Sequence, residues 1–480
     1  MYGRESSAAL GVLARLLVDR MRTMDLRLLA NVLWRRRAWR RRDRWAPDRI
    51  AAEQAAALDR LRRVAYARSG FYRAHHAGLL GAPLAELPPV TKAQLMEHFD
   101  DVVTVPGLGR HDLEAHLAEL VRSGADPGVP WRGRWWAAAT AGTTGRPGVF
   151  VWDRAEWATV LASYARANDW AGIPAGLTRP LRVAVVSSKV PTHQSAVVGA
   201  SLQSRVVPTL RLDATDDLAE AVARLNAFGP RLLVGYPSAL LPLAGEQRDG
   251  RLSIAPASVV SASEVLTAHA AARLRAAWGR EPFDVYAATE TAGIASPCRY
   301  RTRHVYEDLV IVEPVDEAGA PVPPGTVGAR LWVTVLFSRT VPLIRYEMSD
   351  RIALGPGGCP CGRSFVRLAS VEGRQEDVLE LPGATGRVRV HPNVFHAVLD
   401  DASRDGWQVV QRPGGLLVRL VGLAPGRTAG QVRTAVGAAL ITAGAPGVPV
   451  QAEVVGRLQR TALGKAPLVV SIDRDRAGGP

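Results

Sequence analysis

Thr140-Ala141-Gly142-Thr143-Thr144-Gly145-Arg146-Pro147 sets three hydroxyl side chains and two glycines within its first six residues. Small residues precede it (Ala137 to Ala139), and an apolar run starts at Val149. Glycines let a backbone come close to an anion, and threonine hydroxyls with free N–H groups hydrogen-bond phosphate oxygens. No lysine follows the second glycine, so this is not the nucleotide loop that ends in Lys-Ser/Thr. Alone, the stretch reads equally well as an ordinary turn. Its meaning depends on what stands further along the chain.

At 480 residues the chain exceeds a single hydrophobic core and suggests two or three domains. A hydrophobic share of 47% with 22% charged residues fits an ordinary globular protein. The net charge of +15 is half local: residues 1–45 hold twelve arginines against four acids. That leaves +7 for the rest and excludes a nucleic-acid footprint over the whole body. Only three lysines, Lys92, Lys189 and Lys465, stand beside 57 arginines. A lysine kept in such a chain suggests a task for a compact ammonium. Of the three, Lys465 is singled out by its setting.

Leu10 to Val18 is apolar but broken by Arg15, and no small-residue cleavage site follows, so no secretory signal is expected. No run of about 20 uncharged apolar residues exists. Leu10, Leu13, Leu17, Met21, Met24 and Leu28 make a helical stripe followed by arginines at 35–37 and 40–42. A helix packed on the body is expected there, with peripheral membrane contact as the alternative. Cytoplasmic residence is expected, and three cysteines fit that compartment.

Residues 1–90 read as helix-rich and close on the rigid phrase Leu87-Pro-Pro-Val-Thr91. Residues 91–372 form the main body. Strand-like Leu181–Ser187, Leu232–Gly235, Val259–Ser261 and Phe283–Tyr286 alternate there with helical Asp217–Phe228 and Ala268–Trp278. This predicts an α/β fold with mixed and largely parallel sheet. Residues 373–480 make a smaller α+β unit, with strands near Gln408–Val410, Leu416–Val421 and Val448–Val455 around a helix from Ala429.

Four fragments give the first stretch its context. Tyr286-Ala-Ala-Thr289-Glu290 ends a strand on a carboxylate suited to the magnesium that accompanies a nucleotide triphosphate. Tyr346-Glu-Met-Ser-Asp350 offers an acid for two ribose hydroxyls. Gly373-Arg374-Gln-Glu376-Asp377 sits at the join to the last region, and Gly464-Lys465 puts a lysine on a glycine turn. In this order the chain resembles the adenylate-forming superfamily from about Phe71 to Lys465. The likeness is to its branch of phenylacetate–CoA ligases and deazaflavin-coenzyme adenylating synthetases. Leu87-Pro-Pro-Val-Thr-Lys92 and His304-Val-Tyr-Glu-Asp308 resemble the phenylacetate–CoA ligase branch in particular.

The resemblance implies ATP-dependent activation of a carboxylic acid as an acyl-adenylate, with pyrophosphate release and transfer to a thiol such as coenzyme A. It makes Lys465 and Glu290 catalytic. Thr140, Gly142, Thr143, Thr144, Gly145, Tyr286, Thr289, Asp350 and Arg374 become nucleotide-binding, and Glu376 the hinge of a rotating C-terminal domain. Alanine after Tyr286 and Ser349 before Asp350 replace glycines usual in the family. Leu381-Pro-Gly-Ala-Thr-Gly386 departs from the usual lining of the thiol channel. The acceptor is therefore open among coenzyme A, a carrier-protein thiol, an amine and a hydroxyl.

Cys298-x5-His304 and Cys359-Pro-Cys361 use all the cysteine of the chain. Three sulfurs and one imidazole suit a closed structural zinc site; three unrelated reduced thiols are the alternative. His193, Ser263, Glu264, Ala292 and Gly293 are candidate walls of an acid pocket, whereas Trp157 and Trp170 read as core. An aryl or other modest-sized acid fits the branch. Two further readings stand beside the ligase: a same-fold enzyme with another acceptor or nucleotidylated product, and a noncatalytic or membrane-tethered binding protein. A mere binder needs neither Glu290 nor Lys465.

Overall fold

The computed structural model describes residues 26–140, 147–173, 180–204, 207–374, 377–461 and 465–471. Thr143, Thr144 and their neighbouring glycines Gly142 and Gly145 lie outside the described residues, as do Glu376, Gly464 and the apolar stripe before Leu28.

Strands β1 (Trp136–Ala139) and β2 (Val149–Trp152) pair antiparallel on either side of the Thr/Gly stretch. The Thr140 N–H donates to the Gly148 carbonyl and the Gly148 N–H to Thr140 Oγ1, both at 2.8 Å. These two bonds tie together the described residues at the two ends of that stretch. Behind the pair, Trp136, Trp152 and Trp157 are fully buried.

The main sheet alternates with helices through β3 (Val183–Ser187), β4 (Thr209–Asp213), β5 (Leu232–Gly235), β6 (Ser258–Ala262) and β7 (Phe283–Ala288). These five strands are parallel, in spatial order β4-β3-β5-β6-β7. The sheet continues antiparallel through β8 (Ala292–Pro297) and β9 (Arg303–Val305). Two later strands complete it beyond β9, after β10 (Val310–Val315), β11 (Arg330–Val335) and β12 (Tyr346–Met348) form a sheet of their own. They are β13 (Asp350–Gly355) and β14 (Arg367–Arg374), which set Asp350 opposite Arg374. The result is a nine-stranded mixed sheet among the described residues.

Side chains alternate across a strand, so the parallel part has two faces. Ala184, Val186, Leu233 and Val259 meet the helices Leu218–Phe228, Pro237–Arg248 and Ala268–Trp278. Val183, Leu232, Val260 and Val285 face the opposite way, toward the helix Arg154–Trp170. Local signals set the helix ends. Thr267 Oγ1 accepts the Ala270 N–H and Gly279 ends that helix in a left-handed turn.

The helix Leu26–Arg42 packs on the body, and its arginines serve ion pairs. Arg36 and Arg40 reach Asp169 at 2.6 and 3.0 Å, and Arg42 reaches Asp308. Beneath them Arg166 bridges Asp43 (2.9 Å) and Asp308 (2.7 Å) in the interior. Trp157 and Trp170 are buried core residues. No helix among the described residues is long and apolar enough to cross a membrane.

After β15 (Leu379–Gly383) and β16 (Gly386–Val390), a tight hairpin, the last unit folds around its own sheet. That sheet contains β17 (Trp407–Arg412), β18 (Gly415–Val421), β19 (Val450–Val455) and β20 (Val469–Val470), in order β19-β18-β17-β20. Phe395, Val409, Val418 and Val436 belong to a separate apolar cluster there.

Candidate active site

The carboxyl ends of parallel strands are where α/β sheets present their ligand-facing loops. Ser188 follows β3, Tyr236 follows β5, Ser263 follows β6, and Glu290 stands on the tight turn between β7 and β8. A cavity of about 1060 Å³ opens along this edge, lined by Thr140, His193, Thr289, Glu290, Asp350 and Lys465 among others. The motif residues separated by more than 300 positions are thus brought to one place.

Two of the fragments are tied directly. The Tyr286 hydroxyl donates to Asp350 Oδ2 at 2.9 Å. The Tyr346 hydroxyl is hydrogen-bonded to Glu290, and burial followed by that carboxylate holds the phenol well above its ordinary pKa. The register of β13 and β14 adds Arg374 opposite Asp350.

Three residues other than glycine hold positive φ at or next to this site: Ser263 (+70°), Ala292 (+58°) and Arg345 (+48°). Such conformations cost about 1–3 kcal/mol each and persist where the surroundings fix them. Arg345 shows how. Its guanidinium donates to the Ala85 and Leu87 carbonyls, pairs with Glu313 at 3.2 Å and lies over Trp332. Val90 then bridges to Tyr346, so the Leu87–Thr91 phrase delivers Lys92 to the cavity. A side chain at Gly148 would meet Lys92 Cε at 3.0 Å, so Lys92 lies beside Gly148, where the chain re-enters β2 after the Thr/Gly stretch. Its placement was missed in the sequence, where lysine scarcity was the available signal. Lys189 instead pairs with Asp216.

Lys465 arrives from the C-terminal unit, its Nζ 5.8 Å from the centroid of the Tyr236 ring. The Ala466 N–H donates to Glu264 Oε1 at 3.0 Å, and Arg460 donates to the Ser238 carbonyl at 3.0 Å. Glu264 also accepts from the Ser238 N–H and hydroxyl. Burial raises its pKa, against these hydrogen bonds and the Lys465 charge. His193 stays neutral, its pKa lowered to about 4 by burial and then by Lys465.

The candidate pocket residues therefore divide. His193 and Ser263 line the cavity. Glu264 does not: its carboxylate is spent on Ser238 and on the lysine loop, in the cleft between the two units. Ala292 and Gly293 are buried behind the site, because β8 packs on the helix Arg154–Trp170. A side chain at Gly293 would meet Tyr306 at 2.9 Å, and its N–H donates to Ser163 Oγ. Gln194 and Tyr164 take the wall position instead. Tyr164 donates to Gln194 (2.7 Å), which donates to the Thr289 carbonyl (2.8 Å).

Cys298, His304, Cys359 and Cys361 converge with their ligand atoms within 4.8 Å of one another. Cys298 Sγ and Cys359 Sγ are 3.8 Å apart, matching the edge of about 3.8 Å that tetrahedral zinc–thiolate bonds of about 2.3 Å require. His304 Nε2 is 3.3 Å from Cys361 Sγ, while Nδ1 faces the Phe365 carbonyl at 2.9 Å. That carbonyl fixes the tautomer that leaves Nε2 to bind a metal. Burial favours the thiol at Cys359, yet hydrogen bonds from Cys361, Thr302 and His304 bring its pKa down to about 6. The donor set fits zinc.

No family model matches the chain. Two curated relatives do. A phenylacetate-coenzyme A ligase of Thermus thermophilus is 28% identical over 272 residues, 54% of this chain and 58% of the relative. A phenylacetate-coenzyme A ligase of Aromatoleum evansii is 28% identical over 51% of this chain and 56% of the relative. The matched stretch thus spans little more than half of each relative. Among solved structures, 2-hydroxyisobutyryl-CoA ligase in the postadenylation state superimposes with a TM-score of 0.68 at 21% identity, over 90% of this chain and 91% of that one. The same ligase in the thioesterification state gives 0.56 at 20% identity, over 91% and 93%. The chain thus shares the fold of 2-hydroxyisobutyryl-CoA ligase over nine tenths of its length, and about half of it is similar in sequence to phenylacetate-coenzyme A ligases.

Proposed function

We propose that this protein activates a carboxylic acid with ATP and passes the acyl group to a thiol, coenzyme A being favoured by the relatives' names. The observation that carries the reading is the convergence of Lys465, Glu290, Asp350 and Thr140 on one cavity at the carboxyl edge of the parallel strands. A carboxylate and a triphosphate repel, so the protein's task is positioning and charge neutralisation.

In this reading Lys465 holds the acid's carboxylate against the α-phosphate. One carboxylate oxygen forms a bond to the α-phosphorus, the bond to the bridging oxygen breaks, and pyrophosphate leaves. Asp350, held by Tyr286, takes the ribose hydroxyls. Thr140 and the loop through Thr143 and Thr144 take the outer phosphates, with Lys92 beside Gly148. Glu290 would hold magnesium, which lowers the repulsion between the phosphates and the incoming acid. The zinc set would pin the segment after β8 to the loop before β14.

The thiol step requires Lys465 to withdraw about a hinge at Glu376. Support comes from the contact between the units, which is polar: Arg460 on Ser238, Ala466 on Glu264, and Arg273 on Asp405 at 2.7 Å. Such contacts exchange with water at small cost, whereas an apolar seam would not. The test is direct. Incubating the protein with ATP, magnesium, coenzyme A and a panel of acids should yield AMP and an acyl-CoA detectable by mass. Acid-dependent AMP release without thioester, trapped by hydroxylamine, would move the acceptor away from coenzyme A.

A further inference from the structure

We infer that the acid has an extended hydrocarbon body, a monocarboxylate of the fatty-acid class rather than a compact aryl acid. The inference rests on Lys465 being the carboxylate's partner, and it names the substrate class of that site.

The parallel sheet is covered unequally. One face is filled by three helices. On the other, the carboxyl-end positions are short: Val185, Val234, Ala262 and Ala287 all border the cavity. The helix opposite answers them with Ala165 and Ala167. The short side chains on the sheet, with Ala165 and Ala167 between the larger Leu161, Tyr164 and Asn168 on the helix, leave a slot between the two. The slot runs along this apolar face and opens at the carboxyl edge of the parallel strands.

Its extent argues for length. The cavity follows the helix Arg154–Trp170 from Leu161 to Asn168, two turns or about 10 Å. It then reaches Leu28 and Val32 on the N-terminal helix. The cavity of about 1060 Å³ also includes the nucleotide residues Thr140, Glu290 and Asp350, so it is the reach of the slot beyond them, to the N-terminal helix, that exceeds the aryl or modest-sized acid expected from the sequence. Charge is confined to its ends. Lys465 stands at the nucleotide end, and Arg36 at the far end is held by Asp169 at 2.6 Å. Tyr164 and Gln194 are engaged with each other and with the Thr289 carbonyl. One carboxylate and a long apolar tail match this distribution; a second carboxylate does not.

The experiment is acid-dependent pyrophosphate exchange into ATP, comparing straight-chain acids from butyrate to palmitate with benzoate and phenylacetate. The expected kcat/KM rises about fourfold per methylene through the middle of the series, the equivalent of about 0.8 kcal/mol for a buried CH2. Val234→Trp should lower the laurate-to-butyrate ratio at least about tenfold; if that variant does not fold, Val198→Trp serves, on the helix Gln194–Leu202 that also lines the cavity. A fluorescent polyene fatty acid, bound without ATP, supplies a readout independent of turnover. It should be displaced by laurate, not by phenylacetate, and weakened by the filling variants.

Preference for benzoate or phenylacetate, or a flat series, overturns the inference and leaves acid activation standing. Silent exchange with tight, displaceable probe binding upholds the hydrocarbon site and fails the ligase reading instead. Absence of probe binding together with silent exchange overturns both.

Discussion

The Tyr286 hydroxyl donates to Asp350 Oδ2 at 2.9 Å, joining the last strand of the parallel series to the first residue of β13. Removing the hydroxyl leaves the ring and takes away one hydrogen bond to a carboxylate. Tyr286→Phe should raise the KM for ATP about fivefold, the worth of one such bond at about 1 kcal/mol. Initial-rate kinetics at saturating acid measure it, and an unchanged KM would separate Asp350 from nucleotide binding.

Glu264 is the body's hold on the lysine loop, through the Ala466 N–H. Glu264→Ala should slow adenylate formation about tenfold, within the range for stranding hydrogen-bond donors. Thioester formation from a supplied acyl-adenylate should change less, because in the proposed mechanism that step does not use Lys465. Equal loss in both half-reactions would make Glu264 a general structural residue.

These two contacts mark what sequence reading reaches. The helix Ala268–Trp278 was legible to the residue, because Thr267 caps it and Gly279 ends it. The strand–helix alternation was legible because its periodicity is local. The antiparallel extension through β8, β9, β14 and β13 was not, since pairing between strands far apart in the chain leaves no local mark. Glu264, Ala292 and Gly293 sit close in sequence to Ser263 and Glu290, and neighbourhood suggested a pocket. Only the fold shows that Glu264 faces the C-terminal unit and that β8 turns its backbone to Ser163. The arginines at 36, 40 and 42 read as surplus charge until Asp169 and Asp308 are placed beneath them.

The thiol and imidazole cluster should carry metal. Elemental analysis of the purified protein should find about one zinc per chain, the stoichiometry of a closed four-ligand site. Cys359→Ser or Cys361→Ser should lose it and lower Tm by several degrees. Metal-free protein with an unchanged Tm in both variants would leave the cysteines as unrelated thiols.

Arg166 is buried between Asp43 and Asp308. Replacing it with methionine leaves two carboxylates without their cation, and the expected loss is about 3–5 kcal/mol by urea unfolding. A loss below about 1 kcal/mol, typical of exposed pairs, would contradict the buried network.

His76, His193 and His391 are all held neutral, with pKa values lowered to about 4 chiefly by burial. Unfolded, each takes a proton near the ordinary value of 6.5. The unfolded state therefore binds more protons between these values, and stability falls as the pH drops from about 6.5 toward 4. Urea midpoints at descending pH should show that slope, reduced in His391→Gln. A midpoint constant across the window would refute it.

The most direct test is pyrophosphate exchange into ATP in the presence of acid and the absence of coenzyme A, for the wild type and Lys465→Ala. The account predicts acid-dependent exchange that falls by about 100-fold or more in the variant, the scale for removing a group aimed at transition-state charge. Exchange that survives the substitution would contradict the role given to Lys465 and, with it, the assembly of the site across the two units.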